Sequence, residues 1–133
     1  MEHVNEYEVL VKRAKDFLLS SEYALDRGIF DLACFFAEQC VQLYIKAKLL
    51  KLIGDYPRTH HVRQLLSRLL EVVSEDCREK LLGFIRANRA GLSELEDAYV
   101  MSRYSTKTYT EEDARDMIGL AREVLKVIDE IVR

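Results

Sequence analysis

Between Val4 and Leu25 the apolar residues return at every third or fourth position: Val4, Tyr7, Val11, Ala14, Leu18 and Leu25, with Leu10, Phe17 and Ala24 beside them. Glu8, Lys12, Lys15, Asp16 and Glu22 fall between them, so the segment reads as an amphipathic helix with one face for a core and one for water. Asp26, Arg27 and Gly28 end it, and Gly28 suits the left-handed position that follows a helix C-terminus. A link this short turns the next helix back antiparallel against the first.

The next stretch, Ile29 to Leu50, is of a different kind. It holds no Gly or Pro, and Gly54 and Pro57 follow its end, so it reads as one uninterrupted helix. Ala33, Phe36, Ala37, Cys40, Leu43, Tyr44 and Ala47 fill one broad face; Asp31, Glu38, Gln42 and Lys46 make a thin polar stripe on the other, itself broken by Phe35, Ile45 and Leu49. A helix apolar on nearly every side belongs in the middle of a structure. The charges at Asp31, Glu38, Lys46 and Lys48 argue against a membrane span, where each central charge costs roughly 2.5 to 3.5 kcal/mol. The expectation is the central helix of a soluble bundle, with one face left over for a second subunit.

LIGDYPRTHH is the first true break, after which Thr59 is expected to cap a short third helix with the buried edge Val62, Leu65, Leu66, Leu69, Leu70 and Val73. Ser74, with Glu75 and Asp76 behind it, opens a fourth helix whose stripe runs through Leu81, Phe84, Ile85, Leu92, Leu95 and Tyr99. Asn88 falls on that stripe and Gly91 weakens its middle, which marks a local bend. Val100 to Tyr109 reads as a loop, and Thr110 with Asp113 resembles a capping box opening the last helix, with its seam of Ala114, Met117, Ile118, Ala121, Val124, Leu125, Ile128 and Ile131. The pattern therefore predicts an all-α fold: an antiparallel up-and-down bundle of about five helices, four long and one short, in a single domain spanning residues 1–133.

Composition changes this picture little. A single proline and five glycines leave little room for linkers, and a net charge of -3 argues against a nucleic-acid binder of the simple electrostatic kind. Cys34, Cys40 and Cys77 are an odd set without CxxC spacing and read as core residues in a reducing compartment. The acidic start MEHVNEYEVL lacks the basic region and apolar run of a secretory signal, so a cytoplasmic protein without membrane contact is expected.

Candidate chemistry is sparse. His60 and His61 are adjacent, so on a helix their side chains diverge by roughly 100 degrees, and His3 is distant; no metal or other cofactor is expected. There is no nucleophile elbow and no glycine-rich phosphate loop, and the carboxylates Glu94, Glu96 and Asp97, or Glu111, Glu112 and Asp113, sit where helix ends and solvated faces explain them. What remains is a set of groups suited to an anion or nucleotide: Lys46, Arg58, His60, Arg63, Arg103, Tyr104 and Lys107. Arg and Lys neutralise phosphate, and Tyr stacks on a base. The alternative stays open at this point, that the tyrosines pack on the bundle and the basic groups are solvated or paired with the many acids.

Three runs, AEQCVQLYIKAKLL (Ala37 to Leu50), PRTHHVRQLL (Pro57 to Leu66) and SRYSTKTYTEEDARDMIGLARE (Ser102 to Glu123), together resemble the HEPN domain, a family named for nucleotide binding in higher eukaryotes and prokaryotes. Glu38 and Gln39 match its Glu-Gln pair, Lys46 and Ala47 its Lys-Ala step, His60 the histidine that opens the short helix, and Arg103 with Tyr104 the Arg-Tyr before the last helix. Leu43 stands where many relatives have another lysine, and Ser105 where a proline commonly follows. The resemblance implies a small helical bundle, usually a homodimer, often paired with a minimal nucleotidyltransferase as toxin and antitoxin. Its ribonuclease members share an Arg, four to six residues, then His; neither His60 nor His61 has an Arg at that distance upstream. The expectation is a non-catalytic homodimer binding a partner nucleotidyltransferase and a nucleotide. The alternatives are a toxin-type ribonuclease with a rearranged basic site around Arg58, His60 and Arg103, or a purely structural helical dimer.

Overall fold

The computed structural model describes residues 5–132 as six helices, with no strand among them: α1 (Glu6–Asp26), α2 (Phe30–Ile53), α3 (Val62–Val72), α4 (Glu75–Ala87), α5 (Arg89–Tyr104) and α6 (Glu111–Ile131). The expected start of the first helix, Val4, lies outside the described residues. Asn5 caps α1, its side-chain oxygen accepting the Tyr7 N–H at 3.0 Å. At the other end the Gly28 and Ile29 N–H groups donate to the Leu25 and Ala24 carbonyls at 3.0 and 2.9 Å. That Schellman closure needs the φ of +76° that Gly28 adopts.

α2 sits in the middle, with α1, α3, α5 and α6 packed around it, while α4 lies outside against α3, α5 and α6. Ala33, Cys34, Ala37, Glu38, Cys40, Val41, Ile45, Ala47 and Leu49 of α2 have no exposed surface. Contacts near the helix ends set the directions. Lys48 reaches both Tyr7 and Asp129, and Asp31 accepts the Tyr109 N–H at 2.7 Å. α1 therefore runs antiparallel to α2, and α6 runs the same way as α2.

Lys48 anchors this arrangement. Its ammonium, with only 6% of the side chain exposed, lies 3.2 Å from Asp129 and donates to the Tyr7 hydroxyl at 3.0 Å. The Tyr7 and Tyr44 rings flank it, at 5.5 and 5.1 Å from their centroids, and the Tyr44 hydroxyl donates to Asp129. Three helices are tied by one buried cation.

The helix count differs from the five expected because the stretch from Ser74 to Tyr99 is two helices rather than one bent helix. Asn88 ends α4 and begins α5: its side-chain amide donates back to the Phe84 carbonyl at 2.9 Å, and its ψ of 26° takes the chain out of the helical path. Gly91 then serves close approach, since a Cβ there would meet a Leu120 methyl at 3.1 Å. The loop expected over Val100 to Tyr109 is shorter, because α5 continues to Tyr104. Ser102 and Arg103 donate back to the Ala98 and Tyr99 carbonyls within the helix, and Ser105 donates to the Met101 carbonyl, one of those that the helix end leaves open.

Other boundaries shift less. α2 runs to Ile53, three residues past the expected end, and Gly54 closes it at φ +78°. Thr59 is not the cap of α3; His61 holds that position, and the Thr59 hydroxyl accepts the His61 N–H and donates to Gln64. Ser74 does precede α4 with Glu75 and Asp76 in the first turn, and the Thr110–Asp113 capping box opens α6 with both of its hydrogen bonds. Cys34 and Cys40 are buried, and burial pushes both thiols up to about 12, so neither supplies a thiolate. No helix among the described residues is long and apolar enough to cross a membrane.

Truncating the centre separates this arrangement from one with α2 at the edge. Ile45→Ala is expected to lower the unfolding free energy by about 2 to 5 kcal/mol, whereas Lys15→Ala, at an exposed side chain on the polar face of α1, should change it by less than about 0.5 kcal/mol. Urea unfolding of the two variants checks this. Equal losses would be incompatible with an enclosed α2.

Candidate functional site

The chain between α2 and α3 is held down by its own short-range bonds. Gly54 turns it, the Asp55 carboxylate accepts the Tyr56 N–H at 2.8 Å, and Thr59 ties to His61 and Gln64. This lays Tyr56, Arg58, Thr59 and His60 beside Gln42 and Lys46 of α2 and Tyr99 of α5, around a groove of about 350 Å³. Lys46 and Arg58 both lie over the Tyr56 ring, at 5.6 and 4.8 Å from its centroid. Burial lowers the Lys46 pKa below the ordinary lysine value; Glu38 opposes that shift and Arg58 adds to it. The His60 ring stacks on Tyr99 at 4.2 Å between centroids, nearly parallel, and its buried Nδ1 has no hydrogen-bond partner among the described residues.

Of the residues singled out from the sequence, Lys46, Arg58 and His60 line this groove together. Arg103 joins it indirectly. Its guanidinium lies 4.7 Å from the centroid of Tyr99, the ring that carries His60, and also covers Phe35 and Tyr104, while its Nε donates to the Tyr99 carbonyl at 2.9 Å. Tyr104 is 75% exposed at the end of α5. Arg63 is engaged elsewhere: its backbone N–H, Nε and Nη2 all donate to the Glu96 carboxylate, at 2.9, 3.2 and 3.0 Å, which bolts α3 to α5. Burial alone would raise the Glu96 pKa, but the Arg63 bonds and charge, with His61 at 3.3 Å, bring it below the ordinary carboxylate value. Lys107 lies over the Tyr109 ring at 4.9 Å, in the link to α6, and does not line the groove.

Gln42, Tyr56 and Tyr99 complete the walls, although the sequence does not mark them as site residues. The signal for Gln42 is its place on one helical stripe between Glu38 and Lys46, at spacing four; the tyrosines give no local signal. The middle of that stripe is enclosed. Glu38 is fully buried and Gln42 nearly so, beneath the groove. Gln39 Nε2 donates to Glu38 Oε1 and Gln42 Nε2 to Oε2, each at 2.8 Å, and Gln42 Oε1 accepts from Lys46 at 2.9 Å. Burial pushes the Glu38 carboxyl up to about 7, against the opposing pull of Gln39, Gln42, Lys46 and Arg103.

Because the folded carboxyl keeps its proton to about pH 7 and the unfolded one releases it near 4.5, the native state binds more protons between those values. Stability contributed below the unfolded pKa is lost as pH rises through the folded one, on the order of 3 kcal/mol in all. The unfolding free energy of the native chain should therefore fall from about pH 5 to about pH 8 relative to Glu38→Gln. Denaturation across that range checks it, and a constant difference would mean that Glu38 stays ionised throughout.

The HEPN domain profile matches residues 7–131. A protein of Methanocaldococcus jannaschii named "Putative toxin MJ1304" is 29% identical over 138 aligned residues, covering 95% of this chain and 88% of that protein. Two crystal structures share the fold. TT1696 from Thermus thermophilus superposes with a TM-score of 0.75 at 24% identity, over 96% of this chain and 98% of that one. ST0689, described as an archaeal HEPN homologue, superposes with a TM-score of 0.69 at 25% identity, over 98% of this chain and all of that one, 100%. The groove, the buried Glu38 stripe and the six helices thus sit within one recognised unit, and the chain belongs to the HEPN domain family.

Proposed function

We propose that this chain is a self-associating HEPN-domain subunit that binds a phosphate-bearing nucleotide in the groove of Lys46, Arg58 and His60 and docks on a partner nucleotidyltransferase, without chemistry of its own. The observation that carries the reading is the groove itself: two cations over one tyrosine ring, beside a Tyr99–His60 stack. Cations at close range supply the attraction for phosphate. Self-association is supported by the apolar surface that α1 and the start of α2 leave open. Leu19 is 66%, Tyr23 59% and Ile29 49% exposed, and Leu32 and Phe36 continue the patch. The nucleotidyltransferase partner rests on the sequence resemblance, and the toxin name of the Methanocaldococcus jannaschii relative fits a chain that acts in such a pair.

That same name, with Arg58 and His60 lining one groove, favours a second reading in which the groove cleaves RNA. The absence of an Arg four to six residues before either histidine weighs against it.

Calorimetric titration with ATP is expected to show binding that Lys46→Ala and Arg58→Ala each weaken by about ten-fold, the loss of one charge-assisted hydrogen bond. Arg63→Ala should leave affinity unchanged and lower the melting temperature, because its charge is bound to Glu96. Absence of heat with any nucleotide would remove the binding reading. In sedimentation the chain should run as a dimer and Leu32→Glu as a monomer; a native monomer at micromolar concentration would remove self-association. Mixed RNA should survive incubation intact, and cleavage lost in His60→Ala would install the ribonuclease reading instead.

A further inference from the structure

Glu38 is the one fully buried carboxylate-bearing side chain of α2, and among the described residues no ammonium or guanidinium is bonded to it. Its two oxygens are met only by the side-chain amides of Gln39 and Gln42. The charged groups that act on it are Lys46 on its own helix and Arg103 on α5, neither within hydrogen-bonding reach. A buried carboxylate held by neutral donors alone is close to balance between its ionised and protonated forms. A new charge nearby tips that balance.

Gln42 connects this carboxyl to the groove. While Glu38 is ionised, the amide must turn its NH₂ toward the carboxylate, which leaves its carbonyl oxygen to hold the Lys46 ammonium. Once Glu38 is protonated its O–H becomes a donor, the amide carbonyl can turn to accept it, and the NH₂ then faces Lys46. Two donors cannot bond, so Lys46 is released toward whatever anion lies in the groove. The coupling is reciprocal: an anion that draws Lys46 outward removes the cation that favoured the carboxylate and brings negative charge closer.

Resting on the groove reading above, we propose that Glu38 positions Lys46 through Gln42, and that binding of a phosphate dianion at Lys46 and Arg58 is accompanied by uptake of one proton from solvent onto the Glu38 carboxylate. No covalent bond other than the carboxyl O–H forms. Glu38 never touches the ligand.

The test is titration of the full chain with ATP and with inorganic pyrophosphate near pH 8, where the free chain holds Glu38 mostly ionised, in two buffers of different ionisation enthalpy. The observed heat should differ between buffers by close to one proton more in the native chain than in Glu38→Gln, the variant serving to subtract protons taken up by the probe's own phosphates. Affinity should fall by up to about ten-fold per pH unit above pH 7 in the native chain and more gently in Glu38→Gln. Gln42→Met, which severs the relay and removes one donor from Glu38, should also lose the linked proton. Intact binding with the same buffer dependence in all three chains would overturn the proposal while leaving the groove in place. No heat with either probe, in any buffer, would remove the groove reading and this proposal with it.

Discussion

The structure depends on one constraint: between Ala33 and Leu49, α2 has almost no face that can be given to water. Ala33, Cys34, Ala37, Cys40, Val41, Ile45, Ala47 and Leu49 are enclosed by α1, α3, α5 and α6, and the hydrophobic effect drives that enclosure in proportion to the area covered. The outer helices are amphipathic and can each bury only one stripe, so four of them are needed to close around one that is apolar on almost every side. α4 is left without access to α2 and packs on the outside. The break at Asn88 follows from the same need, since a single straight helix could not lie both against α6 at the rim and against α2 at the centre.

Enclosure has an electrostatic consequence. α2 carries Glu38, Gln42, Lys46 and Lys48 into an interior where unpaired polar groups are costly, and each has to be satisfied locally. Lys48 is met by Asp129 and two tyrosines. Glu38, Gln42 and Lys46 are met mainly by one another, in a chain of side-chain hydrogen bonds that ends where the enclosure is incomplete. That gap, between the Tyr56–His60 segment and Tyr99, is the groove. The groove and the buried Glu38 are therefore the open and closed ends of one polar stripe of α2.

Arg63 and Arg103 show how the same residue type serves two purposes on neighbouring helices. Arg63 is locked in a bidentate pair that fastens α3 to α5, so its charge is committed to the fold. Arg103 is held by aromatic faces and a backbone carbonyl, and it acts on the groove only through Tyr99 and through its field at Glu38. Lys46 and Arg58 remain as the cations with open sides toward the groove.

Periodicity alone determined that the chain is helical, that Ile29 to Leu50 is central, that Gly28 reverses the chain and that Thr110 and Asp113 open the last helix, because each rests on neighbours within a turn or two. That Lys46, Arg58 and His60 carry groups suited to an anion was legible for the same reason, and the fold brings the three to one groove. What only the tertiary structure decided was which charges are already paired. Nothing near Arg63 in sequence announces Glu96, thirty-three residues on, and nothing around Lys107 says that it stands apart from the groove. Nothing in the polar stripe of α2 tells which of its members are covered; the fold buries Glu38 and Gln42 and leaves Lys46 at the groove, and that burial raises the Glu38 pKa to about 7. Local pattern fixes what a residue can do; long-range packing decides whether its charge is free to do it.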